Sequence, residues 1–162
     1  MSSMIWLGIG IGSPLLGWIS DLLRSRRLAL AISSTLGLVA TIYLLYVPGV
    51  EMNSMYAVLF ILGLGAGGQT VSFAVVKDNN PPELVGTASG FNNLAVLIGG
   101  AVFQPLVGVF LHHSAGWFTE NGVHYYTVAS YNKALLVMPI CFMVSLLTVI
   151  FIMPESHPDA LS

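Results

Sequence analysis

The sequence predicts an all-α membrane protein, a polytopic bundle of five transmembrane helices. Two observations set the class. Only 7% of the 162 residues are charged while 56% are hydrophobic, whereas a soluble domain carries about 25% charged residues. So little charge cannot cover the surface of a globule in water. The second observation is length: five apolar stretches, 4–20, 28–47, 55–76, 86–111 and 134–153, reach or approach the roughly 20 helical residues that cross a hydrocarbon core of about 30 Å. Membrane strands would be near ten residues and alternating, so helices are the only fit. The five spans make residues 1–162 one transmembrane domain, with the lipid bilayer as its main partner.

The first span has no basic residue ahead of it and three arginines behind it, the reverse of a secretory signal. The connection to the second span is the charged stretch DLLRSRR, in which Asp21, Arg24, Arg26 and Arg27 occupy four of seven positions. The next connection, VPGVEMNS, carries Glu51 and no basic residue; the third, VKDNNPPELVG, carries Lys77. Placing the first and third connections in the cytoplasm puts four basic residues inside and only Lys133 outside, so the positive-inside rule predicts an outer N-terminus and a cytoplasmic C-terminus. Trp117, Tyr125, Tyr126 and Tyr131 in the long fourth connection suit an aromatic interface belt, and a loop packed on itself would show the same residues.

The fourth span carries a stripe. Gly86, Gly90, Asn93, Leu97, Gly100, Gln104 and Gly108 recur at intervals of three and four and so share one helix face. Glycines admit a close helix neighbour, and buried amides need partners, so this face is predicted to meet protein or a wet cavity. The third span repeats the theme in LGLGAGGQT, with Gln69 beside a glycine run. Gln69, Asn93 and Gln104 have two readings, interhelical bonds worth about 0.6 kcal/mol each or the wall of a solute path. The second and fifth spans lack amides and ionisable groups, and the hydroxyls of Ser33, Ser34 and Thr35 can bond their own helix; these two spans are predicted to face lipid.

Several function classes drop out. A net charge of −2 without a basic patch gives no footprint for nucleic acid. One cysteine, Cys141, allows no intrachain disulfide. His112, His113 and His124 lack a Cys or carboxylate at ligand spacing, so no metal site, cofactor or catalytic constellation is predicted, and the chain does not read as an enzyme.

Gly17, Asp21, Arg26 and Arg27 in GWISDLLRSRR resemble the cytoplasmic loop motif of the major facilitator superfamily, Gly-x-x-x-Asp-(Arg/Lys)-x-Gly-x-(Arg/Lys)-(Arg/Lys). Leu22 stands where that motif has a basic residue and Arg24 where it has Gly. In the family the motif joins the second and third helices of each six-helix half. Here it joins the first and second spans, so the resemblance implies the eighth to twelfth of twelve helices, an incomplete C-terminal half. The segments NNPPELVGTASGFNN and GGAVFQPLVG are similar to the eleventh helix of bacterial permeases.

The resemblance implies a C-terminal segment of a bacterial inner-membrane permease that moves a small solute by alternating access, with the missing N-terminal helices as its partner. It places Gln69 on a cavity-lining tenth helix. Gly17, Asp21, Arg26 and Arg27 then form a conformational latch, while the arginines also read as a plain topology signal. Asp21, at the unfavourable C-terminal end of its helix, is expected to meet the start of the fourth span near Gly86 and Thr87. The alternative is a stand-alone small membrane protein acting through a partner or a homo-oligomer, without transport of its own.

Overall fold

The computed structural model describes residues 2–113, 117–120 and 123–155. Five helical spans carry the chain back and forth: α1 (Ser2–Leu22), α2 (Arg26–Tyr46), a third span broken into α3 (Met52–Ala66) and α4 (Gln69–Asp78), α5 (Pro82–His113), and a fifth span broken into α6 (Val128–Leu135) and α7 (Val137–Phe151). A short antiparallel hairpin, β1 (Trp117–Glu120) and β2 (Val123–Tyr126), fills the connection before α6 and pairs Trp117 with Tyr126. The class is all-α, as the composition predicts, with this hairpin confined to a loop.

The breaks have local causes. Gly67 and Gly68 hold φ/ψ near −58°/−19° and −59°/−17°, close to 3₁₀ geometry, and divide the third span. Pro139 cannot donate the backbone bond that would carry α6 into α7, and the chain turns at Leu136. At the other end of α4, Asn79 and Asn80 donate to the carbonyls of Val75 and Val76 at 2.8 Å each, and the following prolines start α5 with Pro82 and Glu83 in its first turn. The fifth span begins at Val128, ahead of the position 134 that hydropathy marks, because Thr127 caps it, its hydroxyl accepting from the amide of Ser130 at 3.3 Å.

Packing rests on small residues. A methyl group built on Gly8 would lie 2.3 Å from the Phe60 carbonyl oxygen, and one on Gly12 would lie 2.6 Å from that of Leu64. These absences let α1 and α3 touch backbone to backbone. Gly37 of α2 lies against the ring of Phe142 on α7. Near the charged end, Leu16, Ala29 and Val71 bring α1, α2 and α4 into one buried cluster.

One expectation needs correction here. The second span is not simply lipid-facing: one face of α2, with Ser33, Ser34, Gly37, Ala40 and Thr41, is buried between α3 and α7, while Leu28, Val39 and Ile42 point outward. Hydropathy could not show this because serine and glycine score alike on a packed face and a bare one. Ser34 meets Ser145 of α7 at 2.9 Å, whereas Thr35 and Thr41 do bond their own helix, to Ala31 and Gly37. Conversely, no residue of α5 is buried, so its stripe is not packed by the other described helices.

Candidate functional site

The charged connection between α1 and α2 is built by its caps. The Ser25 amide donates to the Ser20 carbonyl and the Arg24 amide to that of Asp21, both at 3.2 Å, which is the Schellman closure of a helix. Arg24 occupies the left-handed position of that closure at φ +48°, where glycine is the usual residue. The turn is therefore kept although its glycine is not. Ser25 then caps α2, its hydroxyl oxygen accepting from the Leu28 amide at 3.1 Å and donating to the Glu155 carboxylate.

Arg26, next in line, joins three helices. Its Nη1 donates to Asp21 Oδ1 at 2.5 Å and to Ser20 Oγ at 3.1 Å, and its Nε to Asp78 Oδ2 at 2.8 Å. Each of these charges sits at the wrong end of its own helix: the carboxylates at the negative C-terminal ends of α1 and α4, the guanidinium at the positive N-terminal end of α2. Brought together, they neutralise one another. The two contacts differ in setting. The side chains of Arg26 and Asp78 are each 10% exposed, whereas that of Asp21 is 65% exposed.

Arg27 reaches the fifth span. Its Nε donates to the Val149 carbonyl at 3.0 Å and its Nη2 to that of Ile150, so a cation rests on carbonyls at the negative end of α7. Gly17, the first residue of the motif, has open space beside it: a methyl there would meet nothing within 4 Å. The four sequence-predicted residues thus divide. Asp21, Arg26 and Arg27 belong to a junction that ties the ends of α1, α2, α4 and α7, and Gly17 lies apart from it on α1.

Asp21 is with Arg26 in this conformation, not with the start of α5, where Thr87 is exposed and Gly86 has nothing close to it. Asp78 and Glu155 were missed by reasoning from sequence. Asp78 had one usable signal, a carboxylate at the C-terminal end of an apolar run on the same side as three arginines.

The amides do not converge. Gln69 is the first residue of α4 and is exposed. Asn93 is exposed on α5, and its neighbour Asn92 makes the link to α4, donating to Ser72 Oγ at 3.0 Å. Gln104 borders an apolar cleft of about 920 Å³ between α5 and the fifth span, with Phe103, Leu135, Met138, Cys141 and Phe142. Tyr126 and Tyr131 meet edge to face at 6.1 Å; the side chains of Trp117, His124 and Tyr125 lie outside the described residues. His112 and His113 stack edge to face at 5.8 Å, and no metal-ligating cluster is present among the described residues.

Comparison with known proteins bears on this arrangement directly. The family model described as Major Facilitator Superfamily matches residues 1–161. The chain is also similar to the gentisate transporter of Corynebacterium glutamicum, 30% identical over 111 residues. That match covers 68% of this chain and 24% of the relative, so the chain spans about a quarter of the relative's length. A family match over nearly every residue, on five spans whose first connection is a charged junction, settles the affiliation: the chain belongs to the major facilitator superfamily.

Proposed function

We propose that this chain forms the C-terminal five helices, the eighth to twelfth, of a permease that moves a small solute by alternating access. The observation that carries the reading is the junction at Arg26. One guanidinium holds the ends of α1 and α4 against the start of α2, and such a shared ion pair is an element with two discrete arrangements, made or broken. Asp21, Arg26 and Arg27 are assigned to this latch, together with Asp78 and Glu155, while Gly17 stands apart from it on α1.

Other features support the reading. The likeness to a transporter over 68% of this chain supports the transport reading. The open stripe of α5, Gly86, Gly90, Asn93, Gly100, Gln104 and Gly108, has the chemistry of a face that meets further protein. Gln69, Asn93 and Gln104 are the cavity candidates. The membrane is assigned as the bacterial inner membrane, with the charged junction and the C-terminus on the cytoplasmic side, following the positive-inside rule.

Gentisate, named for the relative, is the first solute to try. The test is uptake by cells carrying the twelve-helix permease with Asp21→Asn. Uptake falls while the amount of inserted protein is unchanged; uptake equal to that of the unsubstituted permease refutes the latch.

A further inference from the structure

The first half of α5 meets the rest of the chain with one face. Its half-buried residues are Val85, Ala88, Ser89 and Asn92, which share a side at helical spacing with Asn92 near the middle. The Asn92 side chain crosses to α4, its Nδ2 donating to Ser72 Oγ at 3.0 Å. The Ser72 hydroxyl has a single proton and gives it to the carbonyl of Gln69 at 2.6 Å. Asn92 is thus joined, through one serine, to the backbone of Gln69.

This link decides what lies beside it. α4 and α5 are consecutive, joined by residues 79–81, and they run antiparallel. Gln69 precedes Ser72 by three positions, which turns it about 60° round α4. Asn93 follows Asn92 by one, which turns it about 100° round α5. Seen from one end, rising residue number turns clockwise in one right-handed helix and anticlockwise in its antiparallel neighbour. Both turns therefore lead to the same flank of the contact. At a rise of about 1.5 Å per residue, Gln69 and Asn93 also stand within about 3 Å of one height. Both are exposed. Phe91 turns the other way round α5, to the opposite flank, and is 69% exposed.

We propose that Asn92 is a positioning residue: by tying α5 to α4 at Ser72, it sets Gln69 and Asn93 side by side as a pair of carboxamides that hold one solute group from two helices. Each carboxamide offers two donors and an acceptor. The pair therefore suits a solute with donor and acceptor atoms next to each other, such as a carboxyl beside a hydroxyl. Gln104 shares a face with Asn93 but stands about 16 Å farther along α5, at another level of the path. The proposal deepens the reading of these amides as cavity residues and rests on it for the role in transport; the shared flank is a property of the chain itself.

The test starts from the 162-residue chain in lipid nanodiscs with Cys141→Ser. Helix axes about 8–10 Å apart put the two Cβ atoms about 8–9 Å from each other, too far for a disulfide and within reach of a short bis-methanethiosulfonate. Intact mass is expected to show a bridge for Gln69→Cys with Asn93→Cys, and two single adducts for Gln69→Cys with Phe91→Cys. Asn92→Ala and Ser72→Ala each lower the ratio of bridge to single adducts about fivefold, the weight of one hydrogen bond. Ser72→Thr, which keeps the hydroxyl, preserves it. No bridge in the first pair, or equal bridging in both, overturns the shared flank. Bridging untouched in whichever of Asn92→Ala and Ser72→Ala inserts overturns the role of Asn92. In the twelve-helix permease, Asn92→Ala is expected to raise the KM for gentisate uptake about fivefold with the maximal rate kept. Bridging as expected with KM unchanged, or with no gentisate uptake at all, keeps the pair and refutes this solute recognition.

Discussion

Asp78→Asn and Asp21→Asn remove the two carboxylates that share Arg26, and the structure makes them unequal. Asp78 and Arg26 are each 10% exposed and meet at 2.8 Å. Removing one partner of a buried pair leaves the other charge without compensation and costs about 3–5 kcal/mol. Arg26 keeps Asp21 and Ser20 in that variant, which places the expected cost near the lower figure, about 3 kcal/mol. Asp21 meets the same guanidinium at 2.5 Å, but its side chain is 65% exposed, and pairs open to solvent contribute about 0–1 kcal/mol. The assay is reversible unfolding of the chain in mixed micelles by titration with a denaturing detergent, followed by helical circular dichroism. A double-mutant cycle between positions 26 and 78 should give a coupling of about 2–3 kcal/mol, and one between 26 and 21 below about 1 kcal/mol. Equal couplings, or a larger one for Asp21, would refute the claim that burial of the Asp78 contact decides the strength of the junction.

Three further outcomes follow from the packing and the caps. Arg24→Gly should stabilise the chain by about 1 kcal/mol in the same titration, because it removes the cost of a left-handed non-glycine residue at φ +48°. Gly12→Ala, which drives a methyl to 2.6 Å from the Leu64 carbonyl, should cost about 1–3 kcal/mol by forcing α1 from α3. Gly10→Ala and Gly17→Ala, with nothing within 4 Å, should lie within about 0.5 kcal/mol of the parent chain. Single cysteines on a Cys141→Ser background should react with a membrane-impermeant maleimide in intact cells at Glu51 but not at Lys77, exposed positions at opposite ends of the third span, one just before α3 and one in the last turn of α4; the reverse pattern would invert the assigned orientation.

Much of the architecture was legible because lipid is a demanding solvent. Uncharged length alone marked the five spans, and the crowding of Asp21, Arg24, Arg26 and Arg27 marked one end of the bundle. The stripe on α5 was legible as a pattern, yet its partner was not, since periodicity shows which residues share a face and says nothing of what covers it. The burial of α2 was hidden for the same reason. Ser33 and Ser34 have the composition of self-bonded hydroxyls, and only their neighbours, Gly65 and Ser145, show them to be cross-helix contacts.

The site was half legible. Asp21 was expected to find a helix N-terminus by its dipole, a weak interaction of about 0.3–1 kcal/mol, and a full guanidinium charge five residues away outcompeted it. Asp78 was passed over because it sits in another connection, and the distance between connections is not written in a single chain. The glycines at Gly67 and Gly68 were visible and read as a close approach, which the backbone of Gly12 and Ser13 beside Gly67 and the Ser33 hydroxyl beside Gly68 bear out; the break in the span at the same place was not legible.

The most direct test of the assignment to a larger permease is the size of the native product. A tag placed after Ser162 at the chromosomal locus, with blotting of isolated membranes, reads it. A band near two to three times the 17.3 kDa of this chain is the expected result, and function is then to be measured on the twelve-helix protein. A single band at 17.3 kDa would contradict it and leave a small membrane protein that acts through a partner or as a homo-oligomer.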